Sequence, residues 1–413
     1  MNISLGKLTS FQNARNIMLL QAKPIKDYIH IPIIDALGYI TAESLISPVN
    51  LPSFDSAAMD GYAIRFDDIK TNHILKISGD SLAGKPFAGS WALGSTIRIM
   101  TGAKIPQSCE AVVKQEDTKI SDSNIVVNNS ITLGQNIRLT GENIKIGDVV
   151  INSGVKLDIK HLPLIASLGI FKLKVLRKLR VAIFSTGDEL KNISKKIDFH
   201  NELYDINRFT ISLMLNRLGC EVIDLGIIRD NISDISYAIK QADRLSDIVI
   251  TTGGISVGKT DFVRMILREL GEVIFCKVAM KPGKPFTFAR LNTSWFIGLP
   301  GNPVSAVVTF YQLAQHFISK CQGKTYCSIF KHKYKVRVAT NLKKSPGVIE
   351  FQRGYLVKNN KNEMQVYSTG TQDSYFYGSL TKANCFIILE SERSNVKAGE
   401  WVIVEPFDKL LEE

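Results

Sequence analysis

The sequence predicts a multidomain α/β protein: a central doubly wound, mostly parallel α/β domain, a β-rich inserted domain, a helical and extended linking domain, and a C-terminal β-barrel-like domain. Between residues 177 and 326, buried-strand patterns alternate with helical patterns, which is typical of a parallel sheet covered on both faces. Residues 62–150 hold short apolar runs broken by Gly and Asn, and strand patterns return after residue 323. The expected boundaries are 1–50 and 147–176 for the linking domain, 51–146 for the inserted domain, 177–326 for the α/β domain and 327–413 for the C-terminal domain.

The elements follow from apolar periodicity. Residues 7–22 predict an amphipathic helix, residues 27–50 short extended pieces, and residues 160–176 a short helix followed by a strand. In the helix expected over 206–218, Phe209, Leu213 and the range from Leu215 to Leu218 are predicted to face inward. The other expected α/β elements are strands at 181–186, 221–225, 247–252, 273–276 and 295–298 and helices at 233–245, 262–270 and 304–318. Strands at 334–339, 348–351, 385–389 and 401–404 predict a small C-terminal barrel or sandwich.

The chain of 413 residues carries a net charge of +12, from 51 basic and 39 acidic side chains. Residues 320–349 contain eight Lys or Arg and no Asp or Glu. Such a positive field attracts nucleic acid or a phosphorylated small molecule. Because no basic stretch is interleaved with aromatic residues in a nucleic-acid motif, we expect a solvated surface and no nucleic-acid partner.

Localisation is inferred from what the sequence lacks. No apolar run reaches the roughly 18 residues of a membrane span, and the start lacks the charged and apolar regions of a signal peptide. Six scattered cysteines form no C-x-x-C pair, which argues for a reducing compartment and against a zinc site. We expect a cytoplasmic protein without a membrane partner.

The stretch from residue 247 to 303 carries the main binding signal. A strand turns at Gly253-Gly254 and is followed by a helix from residue 262, an arrangement that aims backbone N–H groups at an anion. Lys277 and the segments 281–285 and 299–303 add lysines and further glycines. These loops should meet at one sheet edge, which predicts a site for a phosphate-bearing ligand.

Three acidic residues each follow a predicted strand of the same sheet: Glu189, Asp230 and Asp261. Their carboxylates should line one crevice and repel each other unless a cation lies among them, so Mg²⁺ is the natural partner. Separate capping of helix N-termini by each acid is the alternative.

Residues 253–260 also match the P-loop pattern G-x-x-x-x-G-K-[ST], in which Lys259 would hold phosphates and Thr260 a magnesium ion. A P-loop enzyme needs a second strand ending in Asp. No apolar strand after this loop ends in Asp, which argues against a P-loop nucleotidase. Upstream, small residues surround Asp55 and Asp60, which either cap turns or act in a site.

These motifs resemble, over essentially the whole length, the molybdopterin molybdenumtransferase family, the molybdenum insertases also seen as the C-terminal domain of gephyrin. The motifs are Phe54-Asp55, Ala58-Met59-Asp60-Gly61-Tyr62-Ala63, Met100-Thr101-Gly102-Ala103, Ser185-Thr186-Gly187-Asp188-Glu189-Leu190, Gly226-Ile227-Ile228-Arg229-Asp230, Thr252-Gly253-Gly254-Ile255-Ser256-Val257-Gly258 with Asp261, Lys281-Pro282-Gly283-Lys284-Pro285 and Leu299-Pro300-Gly301-Asn302-Pro303-Val304-Ser305-Ala306.

The resemblance implies insertion of molybdate into adenylylated molybdopterin, with magnesium and release of AMP. It also implies a homodimer whose ligand lies between the α/β domain of one subunit and the β-rich domain of the other, and handover of substrate from a molybdopterin adenylyltransferase. Catalytic positions match at Asp60, Thr101, Glu189, Asp230, Asp261, Lys277, Lys281, Pro300 and Pro303. Substrate contacts are expected at Ser185, Thr186, Gly187, Gly253, Gly254, Ser256, Gly258, Lys284, Gly301 and Asn302, and metal ligands at Glu189, Asp230 and Asp261.

The chain departs from the family pattern at four places. Asn143 stands where the family usually has Asp, Leu139-Thr140 replaces a more basic run, Ala57 replaces Ser, and Lys259-Thr260 creates the P-loop match. Asn143 is therefore left out of the expected catalytic set. A catalytically silent scaffold of the same fold is a further alternative, but a scaffold would not need the acids together with Lys281.

Overall fold

The structure, a computed structural model, describes residues 8–127, 130–198, 200–255, 262–324 and 332–412. The helical segments are α1 (Phe11–Gln21), α2 (Phe66–Thr71), α3 (Leu162–Ser167), α4 (Ile206–Leu218), α5 (Ile232–Leu245), α6 (Phe262–Leu270), α7 (Pro303–Thr309), a π-helical turn (Phe310–Ala314), α8 (Gln315–Cys321) and α9 (Gly378–Thr381), with 3₁₀ turns at Ile33–Asp35 and Gln115–Asp117. The strands are β1 (Thr9–Ser10), β2 (Tyr28–Pro32), β3 (Leu45–Ile46), β4 (Ser56–Ala57), β5 (Gly61–Ile64), β6 (Ile74–Ser81), β7 (Ser95–Ile99), β8 (Ala111–Lys114), β9 (Thr118–Ser121), β10 (Asn124–Val127), β11 (Ile137–Arg138), β12 (Val149–Ile151), β13 (Lys172–Leu176), β14 (Arg180–Thr186), β15 (Leu190–Lys191), β16 (Leu203–Tyr204), β17 (Glu221–Ile228), β18 (Ile248–Thr252), β19 (Glu272–Lys281), β20 (Pro285–Arg290), β21 (Trp295–Leu299), β22 (Tyr334–Val338), β23 (Ile349–Lys358), β24 (Met364–Ser368), β25 (Cys385–Leu389) and β26 (Trp401–Pro406). Within the described ranges, no helix is long and apolar enough to cross a membrane.

The central sheet confirms the expected α/β arrangement. Its parallel strands lie in the order β17-β14-β18-β21, and β20 and β19 continue it in antiparallel pairing. Successive side chains of a strand point to opposite faces, so Ile183 packs with α4 on one face and Phe184 with α5 and α6 on the other. The sheet is therefore covered on both sides, as a doubly wound sheet must be.

Helix α4 has the predicted bounds but presents a different face to the sheet. Its buried residues are Ile211, Met214 and Leu215, whereas Phe209 and Leu213 are 47% and 50% exposed. At 100° per residue, Phe209 and Leu213 lie on the side of the helix opposite the buried trio. The predicted inward orientation is confirmed for Leu215. It is wrong for Phe209 and Leu213, and also for Asn216 and Arg217, which are exposed.

The C-terminal strands close into a barrel. They pair in the order β23-β24-β22-β26-β25, and an additional pairing of β23 with β25 completes the ring. Val336, Val338, Val402 and Val404 point inward and form its apolar core. Of the two expected forms, barrel and sandwich, the chain adopts the barrel-like one.

The β-rich part is a sheet of order β8-β5-β7-β6-β10-β9 with apolar side chains on both faces. A smaller apolar core is formed by two stretches that flank the β-rich part in sequence: Ala36 and Leu45 come from the first, and Leu157 and Val175 come from the second. Strands β2 and β13 pair across the same two stretches. The domain boundaries themselves stay a prediction.

A half-buried ion pair joins the N-terminal edge of the central sheet to the linking segment. Arg177 donates from Nη1 and Nη2 to the two carboxylate oxygens of Asp247, each at 2.8 Å, and from Nε to Asp27 at 3.0 Å. Arg180 adds a backbone N–H bond to Asp247 at 2.8 Å. Burial alone would raise the pKa of Asp247, but these bonds hold it below its ordinary value.

We therefore expect Asp247→Asn to lower the free energy of unfolding at neutral pH by about 2 kcal/mol, the scale of a hydrogen bond to a charged group. A carboxylate with a depressed folded pKa stabilises above its unfolded pKa of about 3.9, and this contribution disappears as pH falls through the folded value. The difference between wild type and variant in urea denaturation should thus shrink in acid. Asp67→Asn, whose side chain is 91% exposed, is the matched control and should change little. A difference that stayed constant with pH would contradict the assignment.

Candidate active site

A cleft of about 380 Å³ lies beyond the carboxyl ends of β14, β18 and β21. Its walls contain Thr186, Gly187, Glu189, Leu190, Asn207, Asp230, Thr252, Gly253, Gly254, Ile255, Pro285, Pro300, Gly301, Asn302 and Ser305. Ligands of doubly wound sheets bind at this edge. The structure brings together nine of the residues singled out from the sequence: Thr186, Gly187, Glu189, Asp230, Gly253, Gly254, Pro300, Gly301 and Asn302.

The turn after β18 is pressed against the end of β14. Gly253 and Gly254 have φ of +87° and +68°, and a Cβ at Gly253 would lie 2.8 Å from the Thr186 carbonyl oxygen. A Cβ at Gly254 would lie 2.6 Å from the hydroxyl of the same threonine. Only glycine fits this conformation and this distance, which leaves the backbone of the turn as part of the cleft wall.

Two acidic side chains share one end of the cleft. A Cβ built on Gly187 would lie 2.8 Å from both carboxylate oxygens of Glu189, so this carboxylate folds back over the loop. Burial, then the charges of Asp188 and Glu189, raise the pKa of Asp230. The Asp230 Oδ1 atom is buried and accepts no hydrogen bond from the residues that the structure describes. This end of the cleft therefore concentrates negative charge that nothing in the described chain neutralises.

This donor set fits a magnesium ion completed by the substrate. Mg²⁺ is usually held by one or two carboxylates together with water and substrate phosphates. No group of three His, Cys, Asp or Glu side chains able to hold a metal occurs among the residues the structure covers. Glu189 and Asp230 would supply the protein ligands, and the predicted third ligand, Asp261, lies outside the described residues.

Helix capping does not explain these two acids. The N-cap of α5 is Asn231, whose Oδ1 accepts from the Asp234 N–H at 2.9 Å, so Asp230 precedes the cap. Glu189 is followed by β15 rather than by a helix. The capping alternative is therefore wrong for both.

The loop after β21 forms the opposite wall and touches the C-terminal barrel. Pro300 is buried in the cleft wall and Pro303 is the first residue of α7, a position that suits proline because the first helical N–H has no partner. Asn302 donates from Nδ2 to the Ser374 hydroxyl at 2.9 Å, and the Val304 N–H donates to the Ser374 carbonyl at 3.1 Å.

The predicted lysines belong to the β19–β20 hairpin beside the cleft. Lys281 ends β19, and its ammonium lies 3.3 Å from the carboxylate of Glu350 in the barrel. Lys277 lies within the same strand, and Lys284 is exposed at the turn. None of the three lines the cleft as described, although Pro285, the next residue of the hairpin, does.

Ser185 lies beneath the cleft rather than in its wall. It is fully buried, and its hydroxyl donates to Asp205, the N-cap of α4. Arg208 donates from Nε to the same carboxylate at 2.7 Å and from Nη2 to Asn192 at 2.6 Å. Ser185 thus supports the start of α4 and does not face the cleft.

Asp60 and Thr101 form a pair on the β-rich sheet. Asp60 Oδ1 accepts from the Thr101 N–H and hydroxyl, each at 2.7 Å, and these bonds lower the pKa of Asp60. Both residues are exposed, and neither lines the cleft of this chain as described. Next to them a second cleft of about 540 Å³ contains Gly102, Arg138 and Asn143.

Sequence reasoning missed Asn207, a polar residue of the main cleft, and it quoted Thr252 and Ser305 within motifs without assigning them a role in the site. Thr252 directly precedes the glycine turn, and Asn207 follows the helix-capping Asp205, so both positions carried a local signal. Ser256, Gly258, Lys259 and Thr260 lie outside the described residues. The P-loop match therefore stays a sequence observation.

Comparison with known proteins assigns the chain to a family. A family model for the MoeA N-terminal region (domain I and II) matches residues 9–169, one for a probable molybdopterin binding domain matches 182–320, and one for the MoeA C-terminal region (domain IV) matches 335–407. A molybdopterin molybdenumtransferase of Haemophilus influenzae is 45% identical, with 98% of this chain and 100% of that protein covered. Gephyrin of Dictyostelium discoideum is 30% identical, with coverage of 96% and 62%. A crystal structure of a molybdopterin biosynthesis protein of Pyrococcus horikoshii has a TM-score of 0.84 at 27% identity, with coverage of 97% and 100%.

The fold, the cleft and matches along nearly the whole chain define a transferase of molybdenum cofactor biosynthesis. The chain belongs to the molybdopterin molybdenumtransferase family.

Proposed function

We propose that this transferase inserts molybdate into adenylylated molybdopterin and releases AMP in a magnesium-dependent reaction. The observation that carries the proposal is the joint position of the Gly253-Gly254 turn and the Glu189 and Asp230 carboxylates in one cleft. Such a cleft suits a ligand that bears both phosphate and a divalent cation.

In this reaction each wall has a separate role. The turn at Gly253-Gly254 lets the substrate phosphates approach the backbone, and Glu189 and Asp230 would hold a magnesium ion at the phosphate end. Such an ion would supply positive charge that offsets the charge of the phosphates. Lys281 and its hairpin neighbours lie at the side of the cleft. There the positive charge of the lysine ammonium groups would balance the negative charge of molybdate.

We place the second half of the site on another subunit. Asp60 and Thr101 match the family's functional positions but do not line the cleft of their own chain as described. In a homodimer, the β-rich sheet of one subunit would bring this pair to the cleft of its partner. We further propose a cytoplasmic protein that receives its substrate from a molybdopterin adenylyltransferase.

The competing functions have less support. A P-loop nucleotidase needs a strand that ends in Asp after the loop, whereas β19 ends at Lys281 and β21 at Leu299. A silent scaffold would not require a buried, unpaired Asp230 carboxylate oxygen, because an unsatisfied buried acceptor costs about 1–3 kcal/mol.

The deciding experiment supplies adenylylated molybdopterin, molybdate and Mg²⁺ and measures AMP. We expect AMP release that requires molybdate and stops in excess chelator, because the two carboxylates would repel the substrate phosphates without a cation. Restoring Mg²⁺ should restore turnover, which controls for damage by the chelator. Undiminished turnover in chelator would remove the metal from the mechanism, and ATP hydrolysis without AMP release would favour the nucleotidase.

A further inference from the structure

Asn207 places an unused hydrogen-bond acceptor in the wall of the cleft. It lies in the first turn of α4, and its Nδ2 donates to the Gly301 carbonyl at 2.6 Å. Its Oδ1 is buried and has no hydrogen-bond partner within the described ranges of the chain. Because a carbonyl oxygen can only accept, the contact with Gly301 fixes which end of the amide is turned toward that loop.

The start of α4 holds this amide in place. Asp205 caps the helix by accepting from the Arg208 N–H at 3.2 Å, and the same carboxylate is held by Ser185 and by Arg208 Nε. Arg208 also reaches Asn192, beyond the loop that carries Glu189. The position of Asn207 is therefore set by buried contacts before any ligand arrives.

The chemistry of the acceptor restricts its ligand. An amide oxygen accepts from an N–H or O–H donor or coordinates a cation, and neither a phosphate dianion nor molybdate offers such a partner. The apolar walls of the same cleft include Ile255, Pro285 and Pro300. Flat proline and aliphatic surfaces suit a ring, and a ring that carries an amino group would satisfy the buried oxygen.

We infer that Asn207 determines specificity by accepting a hydrogen bond from the exocyclic amino group of the substrate's heteroaromatic ring. The inference rests on the proposed function, whose substrate contains two such rings, a pterin and an adenine. Both present the same donor chemistry, and matched ligands distinguish them.

The test compares ligands that differ by the amino group. Fluorescence titration of the full chain would compare 6-hydroxymethylpterin with 6-hydroxymethyllumazine, in which oxygen replaces the amino group. AMP would be compared in the same way with purine riboside monophosphate, which lacks the group. In one of the two pairs, the wild type should prefer the amino ligand by about tenfold or more, equivalent to about 1.4 kcal/mol.

Asn207→Leu should abolish that preference, and Asn216→Leu is the matched control. Asn216 is exposed on the same helix and does not line this cleft, so its replacement should leave the preference intact. The pair that responds to Asn207→Leu identifies the ring at this position. A wild type that binds these ligands with no preference in either pair, or a preference that survives Asn207→Leu, overturns the inference alone. A wild type that binds no pterin and no nucleotide overturns it together with the proposed substrate.

Discussion

Replacing Asp230 with asparagine is expected to lower kcat/KM for AMP release about a hundredfold or more, equivalent to roughly 2.7 kcal/mol of transition-state stabilisation. The substitution keeps the shape of the side chain but removes the charge that the buried, unpartnered Oδ1 would offer to a cation. The folded structure should be unaffected, because Asp230 neither caps α5 nor forms an ion pair in the described chain.

Asp234→Asn makes the same chemical change four residues further along, within α5 and outside the cleft, and should retain nearly full activity. A second control uses the proposed dimer. Mixed dimers of Asp230→Asn and Asp60→Asn subunits contain one cleft with both native carboxylates if the site is shared between subunits. Activity recovered on mixing two inactive variants would support a shared site, and equal kinetics for Asp230→Asn and wild type would remove Asp230 from the reaction.

Replacing Gly61 with alanine should destabilise the β-rich sheet by about 3 kcal/mol or more, the range of severe overpacking. A Cβ at Gly61 would lie 1.9 Å from the Val113 carbonyl oxygen on the neighbouring strand β8. The contact is with backbone, so relief requires the strands to separate rather than a side chain to rotate. Because Gly61 is adjacent to Asp60, the Asp60–Thr101 pair should be displaced as well.

Urea denaturation followed by circular dichroism measures this effect, and Gly378→Ala is the control. The nearest atom to a Cβ at Gly378 is 3.7 Å away, so that alanine should be accepted with little change. If both variants unfold at the same urea concentration as wild type, the close approach of β5 and β8 is not the reason for glycine at position 61.

The order of elements along the chain was accessible from sequence because each depends on a local pattern. Strand-and-helix alternation predicted the sheet, and the position of Glu189 and Asp230 directly after strands predicted that they meet. The same local reasoning failed for Phe209 and Leu213. Both are apolar, but the face that α4 buries is set by where the sheet lies, and local periodicity did not determine this.

Contacts between distant segments also could not be predicted from the sequence. The partner of Ser185 is Asp205, twenty residues later in the chain, and the partner of Lys281 is Glu350 in another sheet region. A motif shows that a serine or a lysine follows a strand, but not whether a buried carboxylate will engage it. The unpaired oxygen of Asn207 belongs to the same category, because its neighbour Gly301 is brought there by tertiary packing.

The C-terminal barrel contacts the cleft region through Ser374 at the Asn302 loop and Glu350 at the Lys281 hairpin, and its strand β23 pairs with β19 of the central sheet. Phe351, Phe386 and Ile388 of the barrel also belong to the apolar core that covers one face of the central sheet, so the two regions are continuous beside the cleft. Because the loop that carries Asn302 and the hairpin that carries Lys281 are both fixed to the barrel, a substitution that disturbs the packing of the barrel is expected to weaken substrate binding at a distance.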